Sequence, residues 1–168
     1  MTTLHDDLKV KPSWRFLFSH PAHMLSFGLG LGLVPRSPGT AGTLLAFPFF
    51  WYMSSHLSDA MFIFVLIWMF FIGVWVCDIT GKALGEADFG GIVWDEVVAF
   101  LLVLFFTPDG LIWQLLAFSL FRFFDIVKPQ PIRYYDSHWH GGLGVMFDDL
   151  LAAGYALLCL ALIKSILV

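Results

Sequence analysis

The chain has 168 residues, 59% of them hydrophobic and 13% charged, with a formal net charge of -4, and its mean hydropathy is +0.82. Soluble domains average about 45–50% apolar and about 25% charged residues, so the composition excludes a soluble globular domain. It predicts one integral membrane domain over 1–168, with an N-terminal arm over 1–20. The negative balance argues against nucleic acid as a partner.

In chain order, the first polar segment runs from Met1 to about Thr43 and carries Lys9, Lys11, Arg15 and Arg36. Its first 24 residues are polar and mixed in charge, so no cleavable signal peptide is evident. Gly28-Leu29-Gly30-Leu31-Gly32 has the wrong spacing for a dinucleotide fingerprint and reads as close backbone packing. In Pro38-Gly39-Thr40-Ala41-Gly42-Thr43, the glycines let backbone N–H groups approach an anion. A threonine there can cap a helix beginning near Leu44. Two apolar stretches follow, 44–53 and 60–77, joined by a short polar turn, and together they predict a helical hairpin. Cys77 in the second stretch, like Cys159 near the C-terminus, reads as a buried thiol rather than half of a disulfide or a metal ligand.

Residues 78–96 return to polar character. Asp78, Lys82 and Glu86 are spaced as exposed i,i+4 pairs, the alternative being that Lys82 faces the acidic site. Gly91-Ile92-Val93-Trp94-Asp95-Glu96 then leads into an apolar run with no further charge until Asp109. Pro108-Asp109-Gly110 is turn chemistry, which makes 97–121 a second hairpin. The limb 97–108 is too short to span a bilayer unless residues before Val97 join it, so Asp95 and Glu96 are expected inside a helix.

Arg122 and Asp125 are i,i+3 neighbours at the end of a helix that Pro129 must stop, and Pro129 and Pro131 are expected to hold the chain extended. Tyr134, Tyr135, His138, Trp139 and His140 suit the headgroup layer, and interfacial packing is the preferred reading of both histidines, with acid/base chemistry as the alternative. Gly141-Gly142-Leu143-Gly144 leads to a second acidic pair, Asp148-Asp149, heading a last membrane helix in which Ala152, Ala153 and Gly154 permit close approach. The fold class expected is all-α: an integral membrane multi-helix bundle of two helical hairpins and a C-terminal membrane helix.

Of the nine Lys and Arg, only Lys164 lies outside the three polar segments. If each hairpin crosses and returns, these segments share one face, and their basic residues make that face cytoplasmic. Two acidic pairs at helix mouths on that face are the ingredients of a divalent-metal site.

Four motifs carry a resemblance. Pro38-Gly39-Thr40 with Gly42-Thr43, the segment 91–96, Arg122 with Asp125-Ile126, Lys128-Pro129 and Pro131-Ile132, and His140-Gly141-Gly142 with Asp148-Asp149 together resemble bacterial phosphatidylglycerophosphatase A from about His20 to Gly154. The resemblance implies an all-helical, magnesium-dependent inner-membrane enzyme that removes the terminal phosphate of phosphatidylglycerol phosphate to give phosphatidylglycerol. The residues are consistent with that. Neither cysteine has an arginine six residues on and no Asp-x-Asp occurs, so a metal-activated water is preferred over a phospho-enzyme. Mg²⁺ is satisfied by one or two carboxylates plus phosphate oxygens.

The residues assigned to the metal are Glu96, Asp148 and Asp149, with Asp95 as a further ligand or the base. Adjacent helical residues diverge by about 100°, so all four are not expected on one ion. Asp95, Glu96 and Asp149 are the catalytic candidates. Gly39, Thr40, Thr43, Lys82, Arg122 and Lys128 are candidates for substrate binding, with Asp125 orienting Arg122. Asp149 has a structural alternative, as cap of the last helix. Two rival functions remain. An ion- or proton-coupled transporter would use intramembrane carboxylates but spread its charges through the bilayer depth. A lipid transferase acting on CDP-activated lipids would need an Asp-Gly-x2-Ala-Arg start, which is missing at Asp109-Gly110.

Overall fold

A computed structural model describes residues 11–167, so Lys9 and the first half of the arm lie outside the described residues. All regular secondary structure among the described residues is helical. Two short helices, α1 (Trp14–Ser19) and α2 (Pro21–Ser26), precede a 3-10 segment (Gly28–Leu33). Then come α3 (Pro38–His56), α4 (Asp59–Leu84), α5 (Trp94–Phe106), α6 (Leu111–Val127), α7 (Ile132–His138) and α8 (Gly142–Leu167).

The centre is α5. Val97, Val98, Ala99, Phe100, Leu101, Val103 and Leu104 are all buried, with α3, α4 and α8 packed around them. Phe100 sits 5.4 Å from both Phe47 of α3 and Phe121 of α6, ring centroid to centroid. α6 and α8 pack on each other, and their fully buried residues include the small side chains of Ala117 in α6 and Ala152, Ala153 and Ala156 in α8. In lipid, where apolar burial by itself gives little, such close packing is what joins helices.

The outside is as apolar as the inside. Phe64, Trp68, Phe71 and Trp75 of α4 and Leu158, Leu162 and Ile166 of α8 are exposed. A helix that is apolar all round yet not enclosed by protein belongs in a bilayer. With 26 residues each, α4 and α8 are long and apolar enough to cross one.

The hairpins form in the chain but not as packed pairs. A Ser58 cap and the Pro108-Asp109-Gly110 turn join their limbs, with Gly110 at φ 116°. Yet α3 packs chiefly on α5 and α6 chiefly on α8. The limb holding Asp95 and Glu96 starts at Trp94, so both residues are helical as expected. It has 13 residues, about 20 Å of helix, and stays shorter than the roughly 30 Å hydrocarbon layer it was expected to span.

Other expectations are corrected. The first apolar helix begins at Pro38, so Gly39 to Thr43 form its opening turns rather than a loop before it. Thr43 does not cap; its hydroxyl donates to Gly39 O at 2.8 Å. After Pro131 the chain coils into α7 instead of staying extended. The last helix begins at Gly142, where an added Cβ would collide with Val74 O of α4. Asp148 and Asp149 therefore lie about two turns inside α8, which removes the cap reading of Asp149. Gly154 is exposed with nothing near it, so the close approach rests on the alanines alone. The glycines of 28–32 do serve packing, since a Cβ on Gly32 would strike Gly91 O. Both cysteines are free, Cys77 buried and Cys159 half-buried.

Candidate active site

Because helices alternate in direction, the N-termini of α3, α5 and α8 and the C-termini of α4 and α6 meet at one end of the bundle. Lys164 lies at the other end, sharing a surface groove with Phe106 and Pro108. Two anchors fix the start of α5. The Val93 N–H donates to Ser26 O at 2.8 Å, and Trp94 Nε1 donates to Met69 O at 3.2 Å. Asp95 and Glu96 are thereby held inward, Asp95 buried and Glu96 with its side chain 12% exposed.

The first group of acids consists of Asp95, Glu96 and Asp149, one oxygen from each lying within 4.8 Å of the others. Asp95 Oδ1, Glu96 Oε2 and Asp149 Oδ2 are buried with no hydrogen-bond partner among the described residues. Buried carboxylates crowded this closely repel one another and stay ionised only beside compensating positive charge. Their donors are all hard oxygens, as a Mg²⁺-type cation requires. The donor set fits that ion.

Arg122 supplies a cation at the edge of this group. One of its terminal nitrogens, Nη1, lies 2.5 Å from Asp125 Oδ2, 3.6 Å from Glu96 Oε1 and 3.5 Å from Thr43 Oγ1. Asp125 orients the guanidinium as the i,i+3 spacing predicted, while the buried Nε has no partner among the described residues. The α3 N-terminus abuts the same spot: a Cβ on Gly39 would run into Glu96 Oε1 and come within 3.0 Å of Arg122 Nη1. Only glycine lets the helix start sit so close. Pro38 has no N–H, and Ala41 donates to Ser37 O. That leaves the amides of Gly39 and Thr40 as the first-turn donors without a partner among the described residues, at the positive end of a 19-residue helix.

A second group lies beside the first. Asp88 from the α4–α5 loop, Asp136 of α7 and Asp148 of α8 also place one oxygen each within 4.8 Å of one another. Lys128 Nζ is 2.5 Å from Asp136 Oδ1 and from Asp148 Oδ2, and 3.9 Å from Asp88 Oδ2. Burial pulls the Lys128 pKa down, but Asp148, Asp136 and Asp88 outweigh it and hold the ammonium above its ordinary value.

Asp95, Glu96, Asp149, Gly39, Thr40, Thr43, Arg122 and Asp125 are thus gathered as the sequence predicted. Asp148 belongs to the second group, in keeping with the divergence of adjacent helical residues. Lys128, expected on phosphate, is engaged by carboxylates. Lys82 turns outward, its side chain 76% exposed and 2.5 Å from Asp78, which is the i,i+4 pair rather than a site contact. Of the histidines, His138 is exposed and bonded to Tyr134 O and Ser137, while His140 lines a small cavity beside the second group. Asp88 and Asp136 were missed. Both lie in the polar segments that the hairpin argument brings to one end, and that was the only signal for them.

The family model for Phosphatidylglycerophosphatase A matches residues 24–164. The chain is 42% identical over 140 residues to the Escherichia coli protein named Phosphatidylglycerophosphatase A, covering 82% of this chain and 80% of that one. It is 43% identical over 141 residues to the Haemophilus influenzae protein of the same name, covering 83% and 86%. A Bacteroides thetaiotaomicron relative, 35% identical over 152 residues and covered to 94%, carries a provisional phosphatidylinositol-3-phosphatase name. No solved structure matches the chain. With its motifs converging on one buried site and the match extending over most of its length, the chain belongs to the phosphatidylglycerophosphatase A family.

Proposed function

We propose that the protein is a lipid phosphatase that hydrolyses phosphatidylglycerol phosphate to phosphatidylglycerol and phosphate. The observation that carries the chemistry is the buried Asp95–Glu96–Asp149 group with Arg122 and the α3 N-terminus at its edge. A phosphate monoester is dianionic and needs positive charge on its oxygens together with a deprotonated, aligned nucleophile. Asp95, Glu96 and Asp149 would hold Mg²⁺, which when bound neutralises phosphoryl oxygens and lowers the pKa of water.

The protein's own groups divide the remaining work. Arg122, oriented by Asp125, binds the non-bridging oxygens, and the Gly39 and Thr40 amides receive the same anion along the helix axis. Asp95 takes the proton from the attacking water on the carboxylate oxygen that it does not give to the ion. Burial of the three acids keeps bulk water out, which strengthens each of these interactions. The lipid chains remain in the bilayer against the exposed apolar faces of α4 and α8. In this reading the protein is a multi-pass inner-membrane enzyme. The basic residues at the site end, Arg36, Arg122 and Arg133 among them, point that end to the cytoplasm.

The test is phosphate release by the purified protein from a panel of lipid phosphate monoesters, with Mg²⁺ and after thorough chelation. Preference for phosphatidylglycerol phosphate and loss of turnover on chelation support the reading. Full activity in chelator overturns the metal assignment. Cysteine labelling near Arg36, Lys82 and Arg133 checks the orientation, since one of the three labelled from outside breaks the single-face arrangement.

A further inference from the structure

The group of Asp88, Asp136 and Asp148 takes no part in the chemistry above, yet it is built like a cation site. Three elements converge to bring one oxygen of each within 4.8 Å of the others. Asp148 is 5% exposed, and its Oδ1 has no hydrogen-bond partner among the described residues. Together with Asp88, Asp136 and His140 it lines a cavity of about 40 Å³. That volume exceeds what one water needs, and the acidic lining selects a positively charged occupant.

A positive charge already sits on the same carboxylates, though it does not line that cavity: the Lys128 ammonium, bound to Asp136 and Asp148 and facing Asp88. Its backbone pays for that placement, since Lys128 has φ 43° and ψ 64°, a left-handed conformation directly before Pro129. Residues before proline are ordinarily extended, and a non-glycine residue stays left-handed only where its surroundings over-determine it. Carboxylates on three sides do that here. One ammonium against three carboxylates leaves the group with a net negative charge.

We propose that Asp88, Asp136 and Asp148 form a second cation site whose resident cation is the Lys128 ammonium. The protein therefore takes one divalent ion, at Asp95–Glu96–Asp149, and gains a second when Lys128 is removed. The absolute count rests on the metal reading given under the proposed function; the gain on removing Lys128 does not.

The experiment counts Mn²⁺ bound by the full chain in detergent, from the electron paramagnetic resonance signal of free Mn²⁺. Circular dichroism melting establishes that each variant is folded. The wild type should bind one ion, Lys128→Met two, and Lys128→Met with Asp136→Asn one again. Asp136→Asn alone should leave the wild-type count unchanged; where Lys128→Met does not fold, Lys128→Gln, which removes the charge but keeps a polar side chain, should bind two. Should the wild type bind none and Lys128→Met one, the second site stands and the metal reading of the first group fails. A folded Lys128→Met protein with the wild-type count overturns the proposal. So does a wild-type count of two that Asp136→Asn reduces to one.

Discussion

Replacing Asp149 by Asn tests the core of the site, because it keeps the size of the side chain and removes one charge. Asp149 is 3% exposed, and the nearest oxygens of Asp95 and Glu96 lie within 4.8 Å of its own. Two unit charges at 4.8 Å interact by about 3.5 kcal/mol at an effective dielectric of 20, equivalent to a factor of about 400 in rate. If Asp149 helps to hold the charge that stabilises the transition state, kcat should fall by about 10²–10³, with partial recovery at higher Mg²⁺. The same arithmetic has the opposite sign in the metal-free protein. There the substitution relieves repulsion between like charges, so the melting temperature in chelator should hold or rise. Phosphate release from lipid substrate in micelles and thermal melting in chelator read the two effects separately. Near-normal kcat with unchanged Mg²⁺ dependence would refute the reasoning. A lower melting temperature in chelator would instead mark Asp149 as a structural residue.

Arg122→Lys keeps the charge but loses the planar fork that meets Asp125, Glu96 and Thr43 together; kcat/KM should drop by about 10- to 100-fold, measured by initial rates. Lys82→Ala removes an exposed pair with Asp78, so kcat and KM should stay within about twofold and stability within about 0.5 kcal/mol by thermal melting. His23 is buried, 3.0 Å from Thr80 Oγ1, and burial followed by His20 lowers its pKa below the usual 6.5. Below pH 6.5 the unfolded chain binds the proton more readily than the folded one, so His23's contribution is complete above that pH and is lost as pH falls further. Melting curves should show this decline, and His23→Gln should flatten it.

The sequence by itself determined that this is an all-helical membrane protein and that its acidic and basic motif residues gather at one end. Apolar runs of set length, broken by Ser58 and by Pro108-Asp109-Gly110, fix the order and alternating direction of the five long helices, while the short α1, α2 and α7 were not legible. Alternating direction then sends Asp95, Glu96, Arg122, Asp125 and Asp149 to one end, whatever the packing. The i,i+3 pairing of Arg122 with Asp125 was legible for the same reason, since one helix carries both residues. Only the tertiary structure decided which acid meets which. That depends on where each helix starts and how it is rotated, and one residue of offset turns a side chain by about 100°. The contact of Gly142 against Val74 O sets that register for α8. It sends Asp149 to Asp95 and Glu96 and its neighbour Asp148 to Asp88, Asp136 and Lys128. That Lys128 meets Asp88, Asp136 and Asp148 was not legible, because those carboxylates come from three separate elements. No local pattern in the chain records where those carboxylates come together.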